Sequence, residues 1–216
     1  MFKEKGRRVL VGLLDLVVNL VVMLALVFAI RTWIIAPFDV SGASMCDTLN
    51  IVNEECVSGY GEKLIINEAG YLFGDPKRGD IVVFKPTEDF DKYYIKRVIG
   101  LPNEVVEIAN GKVYVTGVDG VKKELQEDYL NDENKDNTPI YYSDLFRFEV
   151  PDGKYFLLGD NRNHSTDSRS CFALSMSEGC AANPERAFIP KDALRGKAWF
   201  IYWPLSNFRF ISSPGY

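Results

Sequence analysis

The chain has 216 residues, 47% hydrophobic and 25% charged, which is the composition of one medium globular domain with room for a small second unit. The formal net charge of -5 argues against a nucleic-acid binder. Charge is also uneven: Lys3, Lys5, Arg7 and Arg8 against Glu4 make residues 1–8 basic, and the chain from residue 32 onward is acidic.

Residues 9–30, "VLVGLLDLVVNLVVMLALVFAI", are almost wholly apolar. About 20 such residues at 1.5 Å each span a bilayer core. Asp15 and Asn19 interrupt the run in its first half, where Asp15 can reach the near headgroups. A buried soluble helix is rarely apolar all round. "VFA" at 27–29 also fits a secretory cleavage site, but the run is longer than the roughly 7–15-residue core of a signal peptide. The reading favoured is an uncleaved anchor, with the basic tail 1–8 cytoplasmic and residues 31–216 extracytoplasmic.

Past Pro37 the pattern changes to short alternating segments. "DIVVFK" (80–85), "YYIKRVI" (93–99), "EVVEIANGKVYV" (104–115), "KYFLLG" (154–159) and "GKAWFIYW" (196–203) read as strands. Asn110-Gly111 is a two-residue hairpin signal. With no convincing amphipathic helix after the anchor, the fold class is mainly β: an antiparallel ectodomain behind one transmembrane helix. Residues 116–147 are polar and acidic and read as a peripheral insertion.

Three places carry chemistry. "FDVSGASMCDTLN" (38–50) puts Ser44 just past the anchor. In "YYIKRVIG", strand alternation sends Lys96 and Arg97 to opposite faces, which leaves room for one of them to point inward. Taken alone, the strand favours two solvated charges, because lysine is almost never fully buried. A buried one would be useful: moving its pKa from about 10.4 to near 8 costs roughly 3 kcal/mol and leaves an amine able to accept a proton. "GDNRNHSTDSR" (159–169) crowds Ser165, Ser168, Asp167 and Arg169 behind a strand, and Asn163-His164-Ser165 is a weak glycosylation match. The single His164 is the only route to a Ser-His-Asp triad and excludes a multi-histidine metal site. Cys46, Cys56, Cys171 and Cys180 lack paired zinc spacing.

The anchor followed by "APFDVSGASM", "RGDIVVF", "YIKRVIGLP" and "GDNRNHSTDSR", in that order, resembles the bacterial type I signal peptidases. The resemblance implies a membrane-anchored Ser/Lys endopeptidase acting on secretory preproteins at the lipid bilayer, with the export translocon as a further candidate partner and no cofactor or metal. It makes Ser44 the nucleophile, Lys96 the general base and Ser165 the hydroxyl that orients the lysine. Asp167 and Arg169 become a supporting ion pair, and Phe38, Met45 and Ile95 shape pockets for small side chains. The alternative is a catalytically weak homologue that serves as an assembly or preprotein-binding factor. Three positions depart from the family pattern: Asp47 stands where proline is usual, Asn103 where glycine is usual, and Gly42 where some members place a hydroxyl. A carboxylate at 47 near Lys96 would favour the charged amine. Residues 198–210 carry aromatics beyond what a core needs, which fits an interfacial surface.

Outside a membrane the four cysteines can form disulfides. Chain proximity favours Cys46–Cys56 and Cys171–Cys180, with Cys46–Cys171 across the site, or four reduced thiols, as the alternatives.

Overall fold

The structure is a computed structural model that describes residues 2–86, 92–141, 146–172 and 183–216. Helix α1 (Phe2–Trp33) contains the apolar run, and its stretch Leu10–Arg31 has mean hydropathy 2.8 and no buried residue. That is the length and composition of one membrane crossing. The helix ends at Trp33 and strand β1 (Ile35–Ser41) follows; Pro37 lies within this edge strand, where a fixed φ and a missing N–H are tolerated as they would not be in a helix interior.

The strands that follow are β2 (Ile51–Val52), β3 (Glu55–Cys56), β4 (Tyr60–Asn67), β5 (Ile81–Phe84), β6 (Tyr94–Gly100), β7 (Val105–Ala109) and β8 (Lys112–Thr116). Then come β9 (Lys122–Glu124), β10 (Arg147–Glu149), β11 (Lys154–Leu158), β12 (Phe188–Pro190), β13 (Leu194–Trp203) and β14 (Arg209–Phe210). The main sheet runs β1-β4-β13-β5-β6-β11-β12, with β14 against β13. A smaller sheet runs β10-β7-β8-β9, and β2 pairs with β3. All pairings are antiparallel.

Every strand read from the pattern is present within a few residues. Asn110 and Gly111 both have positive φ, as the tight β7–β8 turn requires. Asn103 sits at φ 66°, the left-handed region where asparagine is the best substitute for glycine, so that departure is conformationally harmless. Strand β4 was not visible in the sequence because its inward face reads Glu62, Leu64, Ile66. Glu62 is fully buried, and its carboxylate accepts from Arg209, Asn207 and the Asn50 amide.

The segment read as peripheral is not detached. Leu125, Glu127, Leu130, Asn134 and Thr138 are buried, and β8 and β9 belong to the smaller sheet. Its polar side chains find partners inside the protein, which hydropathy alone does not register.

Cys46 and Cys56 form a disulfide, which excludes the Cys46–Cys171 alternative and the four-thiol alternative. Cys171 is also disulfide-bonded; its expected partner Cys180 lies outside the described residues. The Cys46–Cys56 bridge closes a loop with a sequence separation of 10, and a loop of that size limits the unfolded chain by about 2–3 kcal/mol. Replacing both cysteines by serine should lower the denaturation free energy by about that amount, read from urea midpoints under non-reducing conditions. An unchanged midpoint would show the bridge to be energetically idle.

Candidate active site

Ser44 lies in the turn after β1. Met45 O accepts from the amides of Asp47, Thr48 and Leu49, which winds the chain tightly just beyond the serine. Lys96 is on β6, an interior strand between β5 and β11 whose residues from Lys96 to Gly100 are all buried. Both basic residues of this strand are buried, Lys96 at 2% exposure and Arg97 at 1%, contrary to the solvated pair that the strand alone favours. Arg97 can be buried because Asp160 takes it bidentately, at 2.8 and 2.7 Å. Among the described residues Lys96 has no carboxylate in contact. Its Nζ donates to Ser44 Oγ at 2.6 Å and to the Ile95 carbonyl at 2.9 Å.

Burial therefore dominates the lysine's protonation. Desolvation lowers its pKa to about 8, against the opposing pull of Asp167 and Asp160, with Arg169 adding to the lowering. A substantial fraction of the amine is thus neutral near physiological pH.

The 159–169 segment closes the other side. The Asn161 amide donates to Ser44 O at 3.1 Å, and its side chain donates to Ala43 O at 3.1 Å, so the serine backbone is held from this loop. Asp167 and Arg169 form a bidentate pair at 2.9 and 2.7 Å, both fully buried. Burial alone would raise Asp167, but the Arg169 charge and hydrogen bonds, with the Gly159 N–H, hold its carboxyl below the usual range. Arg169 also donates to the carbonyls of Arg162 and Pro139, fixing the loop on both flanks. Gly159 admits no side chain, because a Cβ there would collide with Ser165 and with the Ser44 carbonyl.

Ser165 sits beside this centre but is not bonded to Lys96. Its buried Oγ makes no well-formed hydrogen bond and lies close enough to Asp167 to help hold that carboxyl down. The lysine's second contact goes instead to its own strand, at Ile95 O.

Ser44 and Lys96 open on a cleft of about 620 Å³. Phe38 and Ile95 line it as expected, together with Val40, Leu64, Val83 and Tyr93, whose ring meets Phe38 edge-on at 5.3 Å. Met45 does not line it; its side chain is buried beneath, in the core with Leu49 and Ile81. His164 is exposed at the cleft rim, and Ser44 Oγ is bonded by Lys96, so the described geometry builds no histidine triad.

Asp47 turns away from Lys96. Its carboxylate accepts from the Asn131 amide at 2.9 Å and from Asn134 Nδ2 at 3.2 Å, and it is not among the charges that act on the lysine. Partial burial raises its own pKa. The sequence could not give this direction, since the carboxylate's partners lie 84 and 87 residues away. Among the described residues no cluster of three or more metal-ligating side chains is present.

A serine hydroxyl hydrogen-bonded to a buried lysine amine, on an antiparallel β scaffold behind an apolar helix, defines a serine–lysine centre. The family model described as "Signal peptidase, peptidase S26" matches residues 13–203. Signal peptidase I P of Bacillus subtilis subsp. natto is 34% identical over 195 residues, covering 89% of this chain and 97% of its own. Signal peptidase IB of Staphylococcus aureus (strain MRSA252) is 32% identical over 213 residues, covering 94% and 95%. A crystal structure of a signal peptidase I from Enterococcus faecalis V583 aligns at 32% identity and TM-score 0.39, over 57% of this chain and 97% of that one. The chain belongs to the S26 family of signal peptidases.

Two outcomes follow from the electrostatics. The folded lysine titrates near 8, below its unfolded value, so the unfolded chain holds its proton across pH 8 to about 10.5 and stability rises with pH through that window. At pH 7 the folded state carries the full penalty, and Lys96→Met should raise the unfolding free energy by about 1–3 kcal/mol. A fall in stability would show that the amine's polar contacts outweigh its desolvation. Asp47→Asn should leave the pH midpoint of any Lys96-dependent activity where it is, and a shift to lower pH would mean that the carboxylate reaches the lysine after all.

Proposed function

We propose that this chain is a membrane-anchored serine endopeptidase that removes N-terminal signal peptides from exported preproteins. The observation that carries the reading is the 2.6 Å contact between Ser44 Oγ and a lysine whose pKa burial has lowered to about 8. A serine hydroxyl is a weak nucleophile at neutral pH, and the neutral amine beside it can take its proton.

In this reading Ser44 Oγ attacks the scissile carbonyl while its proton passes to Lys96 Nζ. The Ser44 N–H makes no backbone hydrogen bond among the described residues, so it is free to receive the developing oxyanion. Lys96 then gives the proton to the leaving amine. The acyl-enzyme is hydrolysed by a water that Lys96 deprotonates in turn. The apolar cleft wall at Phe38, Val40 and Ile95 suits an extended segment with small side chains. Asp167 and Arg169 act through the loop they hold, and Ser165, buried beside Asp167, is the hydroxyl this reading assigns to orienting Lys96. Asp47, the feature that favoured a weak homologue, faces away from the base, and that alternative loses its support.

The anchor and topology follow the same reading: N-terminus cytoplasmic, domain outside, cleft near the bilayer. Ala198 and Ile201 of β13 face the core, and Trp199, Trp203, Leu205, Phe208 and Phe210 are exposed. Leu72 and Phe73 are also bare, Phe73 at 91%, on a short turn whose neighbours Glu68 and Ala69 donate to Ile34 O at the foot of the anchor. Aromatic rings in such places suit the headgroup region. In the full-length Trp33→Phe variant, Trp199 and Trp203 fluorescence should be quenched by bilayers of acyl-brominated lipid. Emission indifferent to bromination would remove the membrane face.

The activity test is cleavage of a purified preprotein in detergent. Ser44→Ala and Lys96→Ala should each abolish it, as should Lys96→Arg, whose guanidinium stays protonated. Wild-type activity should climb with pH through about 8, and His164→Ala should change little. Substantial cleavage by either alanine variant would end the Ser/Lys mechanism, and a large loss in His164→Ala would restore a histidine.

A further inference from the structure

We infer that Asn134 is a positioning residue for the reaction: its side-chain amide clamps the nucleophile loop to the Ser165 loop. This rests on the peptidase reading above.

Asn134 is 1% exposed and belongs to the polar segment whose purpose the sequence left open. Its Nδ2 donates to both Asp47 oxygens at 3.2 Å and to Asn131 Oδ1 at 3.2 Å. Its Oδ1 accepts from the Asn163 N–H at 3.2 Å and from Asn163 Nδ2 at 3.1 Å. The orientation of the amide is forced. An ionised carboxylate only accepts and a backbone N–H only donates, so a flipped amide would lose both loops at once. Asp47 is three residues from Ser44, and Asn163 is two residues from Ser165. One planar group therefore ties the far sides of the two loops together, where Asn161 already joins them beside Ser44.

The clamp has a rigid mount. The Thr138 N–H donates to Gly111 O at 2.8 Å, which fastens the segment to the β7–β8 turn, and Gly111 has no room for a Cβ beside Asp136. Buried Arg162, in the catalytic segment, pairs with Glu127 and donates to Thr138 Oγ1 at 2.7 Å. The Arg97 guanidinium, next to the base, stacks 4.0 Å from the Tyr129 ring. In the turn after the serine this chain carries an acceptor, Asp47, held by a buried donor, Asn134. Asp47 and the polar segment form one device.

A residue that only stabilises the fold would change the melting temperature and the amount of folded enzyme, not the turnover of each intact site. Preprotein cleavage by full-length enzyme, normalised to sites acylated by a serine-reactive probe, separates the two. Asn134→Asp sets carboxylate against carboxylate and should lower kcat about 10–100-fold, with KM nearly unchanged and the pH midpoint unmoved. Combining it with Asp47→Asn exchanges donor and acceptor across the 47–134 contact, keeps the Asn131 N–H and Asn163 bonds, gives up only the contact to Asn131 Oδ1, and should recover kcat to within about threefold of wild type. Should Asn134→Asp not fold, Asn134→Ala gives the same split. Amide hydrogen exchange across residues 43–49, faster in Asn134→Ala, reads the clamp without any activity, so failure of the peptidase reading leaves it testable. Unchanged turnover per site, no recovery in the exchanged pair, or unaltered exchange in that loop would each overturn the clamp.

Discussion

Taking one primary amine out of water is the constraint around which the rest of this protein is arranged. An ammonium group in an apolar interior is costly, and among the described residues Lys96 has no carboxylate in direct contact to offset it. The nearest negative charges are already engaged, Asp160 by Arg97 and Asp167 by Arg169. Both still pull toward the charged amine, but each carboxylate is held to its own arginine, and desolvation outweighs them. The fold thus places two buried ion pairs around a desolvated amine, and the stability forgone at Lys96 is what favours its neutral form.

Those ion pairs also explain how three distant stretches of chain are held in register. Arg97 is one residue from the base and reaches Asp160 at the start of the catalytic segment; it also donates to Gly79 O and Thr48 Oγ1. Arg169 locks the end of that segment onto its own backbone. Glu62 and Arg209 do the same from below the serine turn, with Arg209 donating to Thr48 O at 2.7 Å. Arg209 lies on β14 beside the exposed Phe208 and Phe210, so the aromatic surface and the serine turn share one buried network. Removing one partner of such a pair leaves an unpaired buried charge, which is why these contacts act as struts.

Much of the architecture could be read from the chain because its causes are local. The apolar run, the alternation of β5 through β8 and the Asn110-Gly111 turn depend on neighbours in sequence. β4 is hidden from the pattern because buried Glu62 interrupts its apolar face, and residues 116–147 read as a peripheral insertion because Glu127, Asn134 and Thr138 find partners only across the fold. Family resemblance brought Ser44 and Lys96 together on paper, and the structure sets them 2.6 Å apart. It also moved Met45 from the cleft to the core and left Ser165 off the lysine.

The sequence by itself determined the anchor, the strand content and the identity of the residues that converge, because periodicity and motif order are properties of the chain. Only the tertiary structure decided which of two adjacent basic side chains lost its water without gaining a carboxylate, and which way Asp47 points. Desolvation and pairing are set by what packs against a side chain from elsewhere: Asp160 against Arg97 across 63 residues, Asn134 against Asp47 across 87. No local pattern encodes those partners, and they are what separates a solvated lysine from a base.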